Sequence, residues 1–174
     1  MFKKIICMGM LIMCVSMGLF SGCNSGTWFK VGYEGRGGGF SYVDENEELQ
    51  SVSSLIRLVN SVEELKALCD EYNNPAFLES NPGYSNDISK KIREYDETFF
   101  KEKSLLIYCA TASNADITYK IKGLAAENGE LILDVRMKAP KRDFIGLIPF
   151  RWTFLIEVKK ADITGVTNVK TNMK

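Results

Sequence analysis

Cys23 has the most to offer chemically: a thiol placed after Ser21 and Gly22, where an uncharged run from Ile5 to Phe20 ends. Lys3 and Lys4 precede that run, so the layout is basic start, apolar middle and small residues at a cut, the pattern of a secretory leader. At 16 residues the run is shorter than the roughly 20 that a membrane-spanning helix needs. Beyond residue 23 the only thiols are Cys69 and Cys109, and the 174 residues include no histidine. That removes the commonest general base and metal ligand and excludes Ser-His-Asp and Cys-His catalysis. Asp134 and Glu157 fall on neighbouring strand candidates, but an acid pair for hydrolysis needs a set separation inside a cleft. On alternating strands they read as solvated residues paired with Arg136 and Arg151.

The stretch Leu19-Phe20-Ser21-Gly22-Cys23 resembles the bacterial lipobox, with Phe20 where that family prefers leucine. The resemblance implies that the Cys23 thiol receives a diacylglycerol, that cleavage falls just before it, and that the body is held on the extracytoplasmic side of the cell membrane. Two or more acyl chains give stable attachment where one does not. The competing reading is an ordinary signal peptide, or an uncleaved anchor, with Cys23 incidental.

This divides the chain into a signal peptide (1–22), a tether (23–50) and one globular domain (51–174). Without the leader, 20 basic side chains face 22 acidic ones. So even a balance argues against nucleic acid, which requires a basic face. Outside the cytoplasm Cys69 and Cys109 can form a disulfide, provided their Cα atoms lie within about 7 Å. Equally they are two buried free thiols acting as small hydrophobes. Two cysteines without histidine do not make a zinc site, and no cofactor is expected.

The elements follow from periodicity. In the tether, Gly35-Arg36-Gly37-Gly38-Gly39 reads as a spacer, since it lacks the Gly-Lys-Ser/Thr ending of a phosphate loop. Trp28, Phe29, Val31 and Tyr33 either form a short edge strand or rest against the domain. Leu55–Val59 predicts a strand. Ser61 with Glu64 predicts a capping box, opening a helix whose stripe is Val62, Leu65, Leu68, Cys69 and Tyr72. Asn73-Asn74-Pro75 stops it, and a second helix is predicted over Asp87–Glu94 with Ile88 and Ile92 inward. Tyr95 to Phe100 then leads into strands at Ser104–Cys109, Ile117–Ile121 and Leu131–Met137, with Asn128-Gly129 as a hairpin turn. Phe99 and Phe100 are placed to plug one end of the core. Along Phe150–Lys159, Phe150, Trp152, Phe154, Ile156 and Val158 alternate with Arg151, Thr153, Leu155, Glu157 and Lys159, predicting one dry face and one largely wet. Ile163–Val169 predicts a last edge strand. The fold class is α+β: an antiparallel sheet or small β-sandwich of five to six strands with two helices packed on it.

Residues 95–160 are similar to small lipoproteins of clostridia-like bacteria and, more distantly, resemble the C-terminal domain of PrcB, a subunit of a surface protease complex. The residues that carry the likeness are Asp96, the paired Phe99 and Phe100, the apolar strand to Ile107, the Asn128-Gly129 turn, and the closing aromatic strand after a proline-bearing loop. The chain departs from it at Ser113-Asn114-Ala115-Asp116, where the family has a glycine-rich turn, and in the loop Lys138–Pro149. In that loop Phe144, Ile145, Leu147 and Ile148 stand beside Lys138, Lys141 and Arg142. This reads either as a contact surface for a protein partner or anionic lipid, or as a flap capping the sheet. The expected function is a non-enzymatic protein-interaction lipoprotein of the cell envelope, anchored through lipid and associated with a protease complex. A small-ligand binder and, last, a carboxylate-dependent hydrolase are the alternatives.

Overall fold

The computed structural model describes residues 28–37, 40–43, 45–47, 49–51, 54–77, 87–113, 115–140 and 149–174. Residues 1–27, with the predicted leader and Cys23, and the loop residues Lys141, Arg142, Phe144, Ile145, Leu147 and Ile148 lie outside them. In chain order the strands are β1 (Phe29–Arg36), β2 (Ser41–Val43), β3 (Leu49–Ser51), β4 (Ser54–Val59), β5 (Lys103–Ala112), β6 (Thr118–Glu127), β7 (Glu130–Lys138), β8 (Phe150–Lys159) and β9 (Asn168–Met173). Helices α1 (Val62–Glu71), α2 (Asp87–Ile92) and α3 (Glu97–Glu102) fall between β4 and β5.

Strand β8 departs most instructively from its expected pattern. It is buried from Trp152 through Val158 on both faces, not one. Its partner β5 is likewise buried from Ser104 to Ala110. A strand dry on both sides needs two covers, and the chain supplies them. Leu105, Ile107, Cys109 and Leu155 pack against Leu65, Leu68, Ile88, Ile92 and Phe100 of the helices. Leu106, Tyr108, Phe154 and Ile156 pack against Leu131, Leu133 and Val135 of β7. The result is three layers: helices, a four-stranded antiparallel sheet ordered β1-β8-β5-β4, and a three-stranded sheet ordered β6-β7-β9. The fold is α+β with two packed sheets, as the sequence indicates.

Pairing departs from the expectation that consecutive strands are neighbours. The central pair is β5 with β8, while β6 and β7 leave for the second sheet. Only the β6–β7 hairpin is consecutive across a tight turn, and there Asn128 (φ 52°) and Gly129 (φ 79°) supply the two left-handed residues of a type I′ turn. The last strand starts later than expected: Lys160–Ile163 is a 3₁₀ turn, and β9 lies parallel to β7. Residues 29–36 form β1, an edge strand paired along β8, one of the two readings of Trp28, Phe29, Val31 and Tyr33, and short β2 and β3 pair with each other.

The helices obey their caps. Ser61 Oγ accepts from the Glu64 amide at 3.2 Å, and Glu64 reaches back to the Asn60 amide at 2.8 Å, one residue before the cap. Leu65, Leu68 and Cys69 are its buried stripe. A third helix, α3, stands where the sequence indicated a lead-in to a strand: Asp96 caps it through the Phe99 amide at 2.9 Å. It buries Phe100 and packs Phe99 partly against the same core.

We expect Phe154→Ala, at a position with no exposure, to cost about 3–5 kcal/mol in urea unfolding, and Asp96→Ala about 1 kcal/mol. A loss below about 1 kcal/mol at Phe154 contradicts the two-sided burial of β8.

Candidate functional site

Glu157 is the exception inside the apolar layers. It sits on the helix side of β8, 8% exposed, where the sequence places it on a wet face. A carboxylate there requires a counter-charge, and Lys103, the first residue of β5, provides it: Nζ to Oε2 is 2.9 Å. The ammonium also lies 5.5 Å from the centre of the Phe99 ring. Tyr95 completes the cluster from the segment between α2 and α3. Its ring packs on Phe99 with centroids 4.6 Å apart, and its buried hydroxyl has no hydrogen-bond partner among the described residues. Burial, and then the charges of Glu157 and Glu94, hold that hydroxyl well above the usual tyrosine range.

Backbone geometry makes room for this cluster. The register of β1 against β8 slips between Val31 and Tyr33, a β-bulge at Gly32. A Cβ on Gly32 would lie 2.6 Å from the Tyr95 hydroxyl and 2.8 Å from Glu157 Oε1. Neither group can swing away, since one is the tip of a buried ring and the other is tied to Lys103. Gly32, Tyr95 and Lys103 carry no signal in the sequence that would bring them together. The cluster positions one carboxylate against one ammonium, which neutralises charge and pins the start of β5 to the end of β8. Its chemistry is that of a clamp.

Asp134 is not Glu157's partner. It belongs to β7 in the other sheet, accepts from Asn172 Nδ2 at 2.7 Å, and has a half-exposed side chain. The expected pairings of these acids with Arg136 and Arg151 give way to others. Arg151 donates to the Phe40 carbonyl at 3.0 Å, and Lys174 approaches Asp134 at 4.0 Å.

Cys69 and Cys109 are free buried thiols, not a disulfide. Both belong to the helix-side core, and Cys109 Sγ lies 3.6 Å from Thr153 Oγ1. Burial pushes Cys69 up to about 12 and Cys109 up to about 11. Among the described residues no group of His, Cys, Asp and Glu side chains has the geometry to hold a metal, and no helix is long and apolar enough to cross a membrane.

Before residues 141–148, Lys138 pairs with Thr118 in the three-stranded sheet; after them, Phe150 pairs with Ala112 in the four-stranded one. Met137 and Met173 are 41% and 50% exposed, apolar surface left uncovered among the described residues. No protein-family model matches the chain, and neither a curated protein nor a solved structure does.

Two outcomes check this geometry. Lys103→Met leaves a buried carboxylate without its partner and is expected to cost about 1–3 kcal/mol, below the 3–5 of a fully buried pair because Lys103 is 40% exposed. Lys103→Met with Glu157→Leu restores most of that loss, and additive losses would rule the clamp out. Both thiols bind protons more tightly folded than unfolded, so their contribution is intact below about pH 9 and disappears as pH rises toward 11 and 12. Buried Tyr95 and Tyr108 shift the same way. Native protein at pH 8 should leave both cysteines unlabelled by iodoacetamide, with full labelling in urea; fast native labelling contradicts their burial.

Proposed function

We propose that this chain is an extracytoplasmic, lipid-anchored protein whose body is a non-enzymatic interaction module for another protein of the cell envelope. The observation that carries this is Cys23, placed after a basic start, an uncharged apolar run and two small residues. The body supports the reading in three ways. Strand β1 begins at Phe29, six residues beyond Cys23, so a rigid sheet edge starts within about 20 Å of the anchor at full extension. The polar cluster of Glu157, Lys103 and Tyr95 is used to hold strands together, which leaves the surface for recognition. Met137 and Met173 are exposed, and flexible, polarizable methionine suits a contact surface. The resemblance of residues 95–160 to the PrcB domain points to a protease assembly as the partner's class.

Crosslinking in intact membranes, followed by detergent extraction, tests the role of the loop. Phe144→Asp with Leu147→Asp should abolish the crosslinked species while leaving the melting temperature within a degree or two of wild type. A large fall in melting temperature would instead assign those residues to the core, and an unchanged crosslink would remove the loop from the interface.

A further inference from the structure

The outer face of the three-stranded sheet carries a pattern that stability alone does not favour. Lys120 of β6 stands directly opposite Arg136 of the central β7. On the other side of β7, Val135 is level with Met173, and Met137 donates to the Lys174 carbonyl, so Lys174 completes the row beside Arg136. Three cations thus cross three strands side by side, and like charges in register repel. Lys138 follows one pleat further along β7 and Lys122 one pleat along β6, all five of them exposed. Two adjoining depressions share Lys122 and Arg136, one of 340 Å³ that Asp134 and Lys174 also line, the other of 250 Å³ lined by Lys120 and Lys138 as well. Across the whole chain basic and acidic residues are equal in number, so this is segregation and not excess.

A second observation is independent of charge. Strand β6 is an edge: ten residues long, paired only with β7 among the described residues, and so presenting a row of unpaired backbone groups. Lysines on an edge strand also serve to discourage pairing. That role does not account for Arg136, which stands on the central strand and adds repulsion without guarding the edge.

We propose that this face binds an extended acidic peptide segment of a protein partner, which adds as a strand to the β6 edge and lays alternate carboxylates beside Lys120 and Lys122, with Arg136 and Lys138 one strand further in. Strand addition supplies main-chain hydrogen bonds, and alternate side chains supply specificity. Along a strand those side chains recur every ~6.6–6.8 Å, so successive carboxylates follow the line of β6. The proposal deepens the interaction role given above and rests on it for the choice of a protein partner. Position favours the same choice over an anionic bilayer. Phe29 of β1 is level with Val158, and Arg36 with Trp152. Tyr119 packs edge-on against Trp152 at 6.4 Å, so the start of β6 lies at the end of the sheet distant from the residues that follow Cys23.

Fluorescence anisotropy on the full chain in neutral detergent tests this with a labelled peptide of alternating glutamate and valine. Polyphosphate and phosphatidylglycerol vesicles serve as competing anions. The peptide is expected to bind with an affinity that falls as salt rises, and Lys120→Glu with Arg136→Glu to weaken it at least about tenfold. The neutral pair Lys120→Gln and Arg136→Gln should weaken it less, with an unchanged melting temperature for both variants. Amides of β6 gain hydrogen-exchange protection when the peptide is bound. Equal binding by the charge-reversed variant overturns the proposal, as does binding without protection of β6. Preferential binding of polyphosphate or of vesicles overturns the peptide assignment. Since the reading is taken on solubilised protein, it is unaffected if Cys23 proves to carry no lipid.

Discussion

Two adjacent strands that are apolar on both faces set the terms for everything else in this molecule. β5 and β8 bury Leu105, Ile107 and Leu155 on one side and Leu106, Tyr108, Phe154 and Ile156 on the other. Fully burying each such side chain is worth roughly 1.5–3 kcal/mol, so neither face can be left to water. Helices α1, α2 and α3, between β4 and β5, form one cover, and the β6–β7 hairpin with β9 forms the other. This constraint also explains why consecutive strands part company: β6 and β7 cannot both sit beside β5 and lie over it. Glu157 is tolerated in such a layer only because Lys103 enters from the strand end, where its stem is partly solvated and its charge still reaches the carboxylate.

The interior holds its ionisable groups in their neutral or paired forms: two protonated thiols, two hydroxyls raised by burial, one ion pair. The outer sheet face, the β6 edge and the exposed Met137 and Met173 all belong to the three-stranded sheet.

Legibility in the sequence divides along physical lines. Local signals were readable: the Ser61–Glu64 capping box, the Leu65–Leu68–Cys69 stripe, and the Asn128-Gly129 turn all depend on neighbours within four residues. The alternation of β8 was visible as well, but its meaning was not. Thr153 and Glu157 look like a solvent face, and only the helices arriving from elsewhere turn that face inward. Helix α3 was missed because six residues cannot show a period, leaving Asp96 as its one local mark. The clamp of Gly32, Lys103, Tyr95 and Glu157 draws on four separate segments, so no spacing announces it. The cation row is the same case: Lys120, Arg136 and Lys174 become neighbours only through antiparallel and parallel registers that the sequence does not spell out.

The proposed anchoring and location turn on the state of one sulfur atom. Intact-mass spectrometry of the chain purified from its native membrane, with fragmentation of the N-terminal peptide, reads that state directly. The account predicts a polypeptide that begins at Cys23 and carries the added mass of diacylglycerol on its thiol. A chain that retains Met1, or one that begins at residue 23 with an unmodified cysteine, would contradict it.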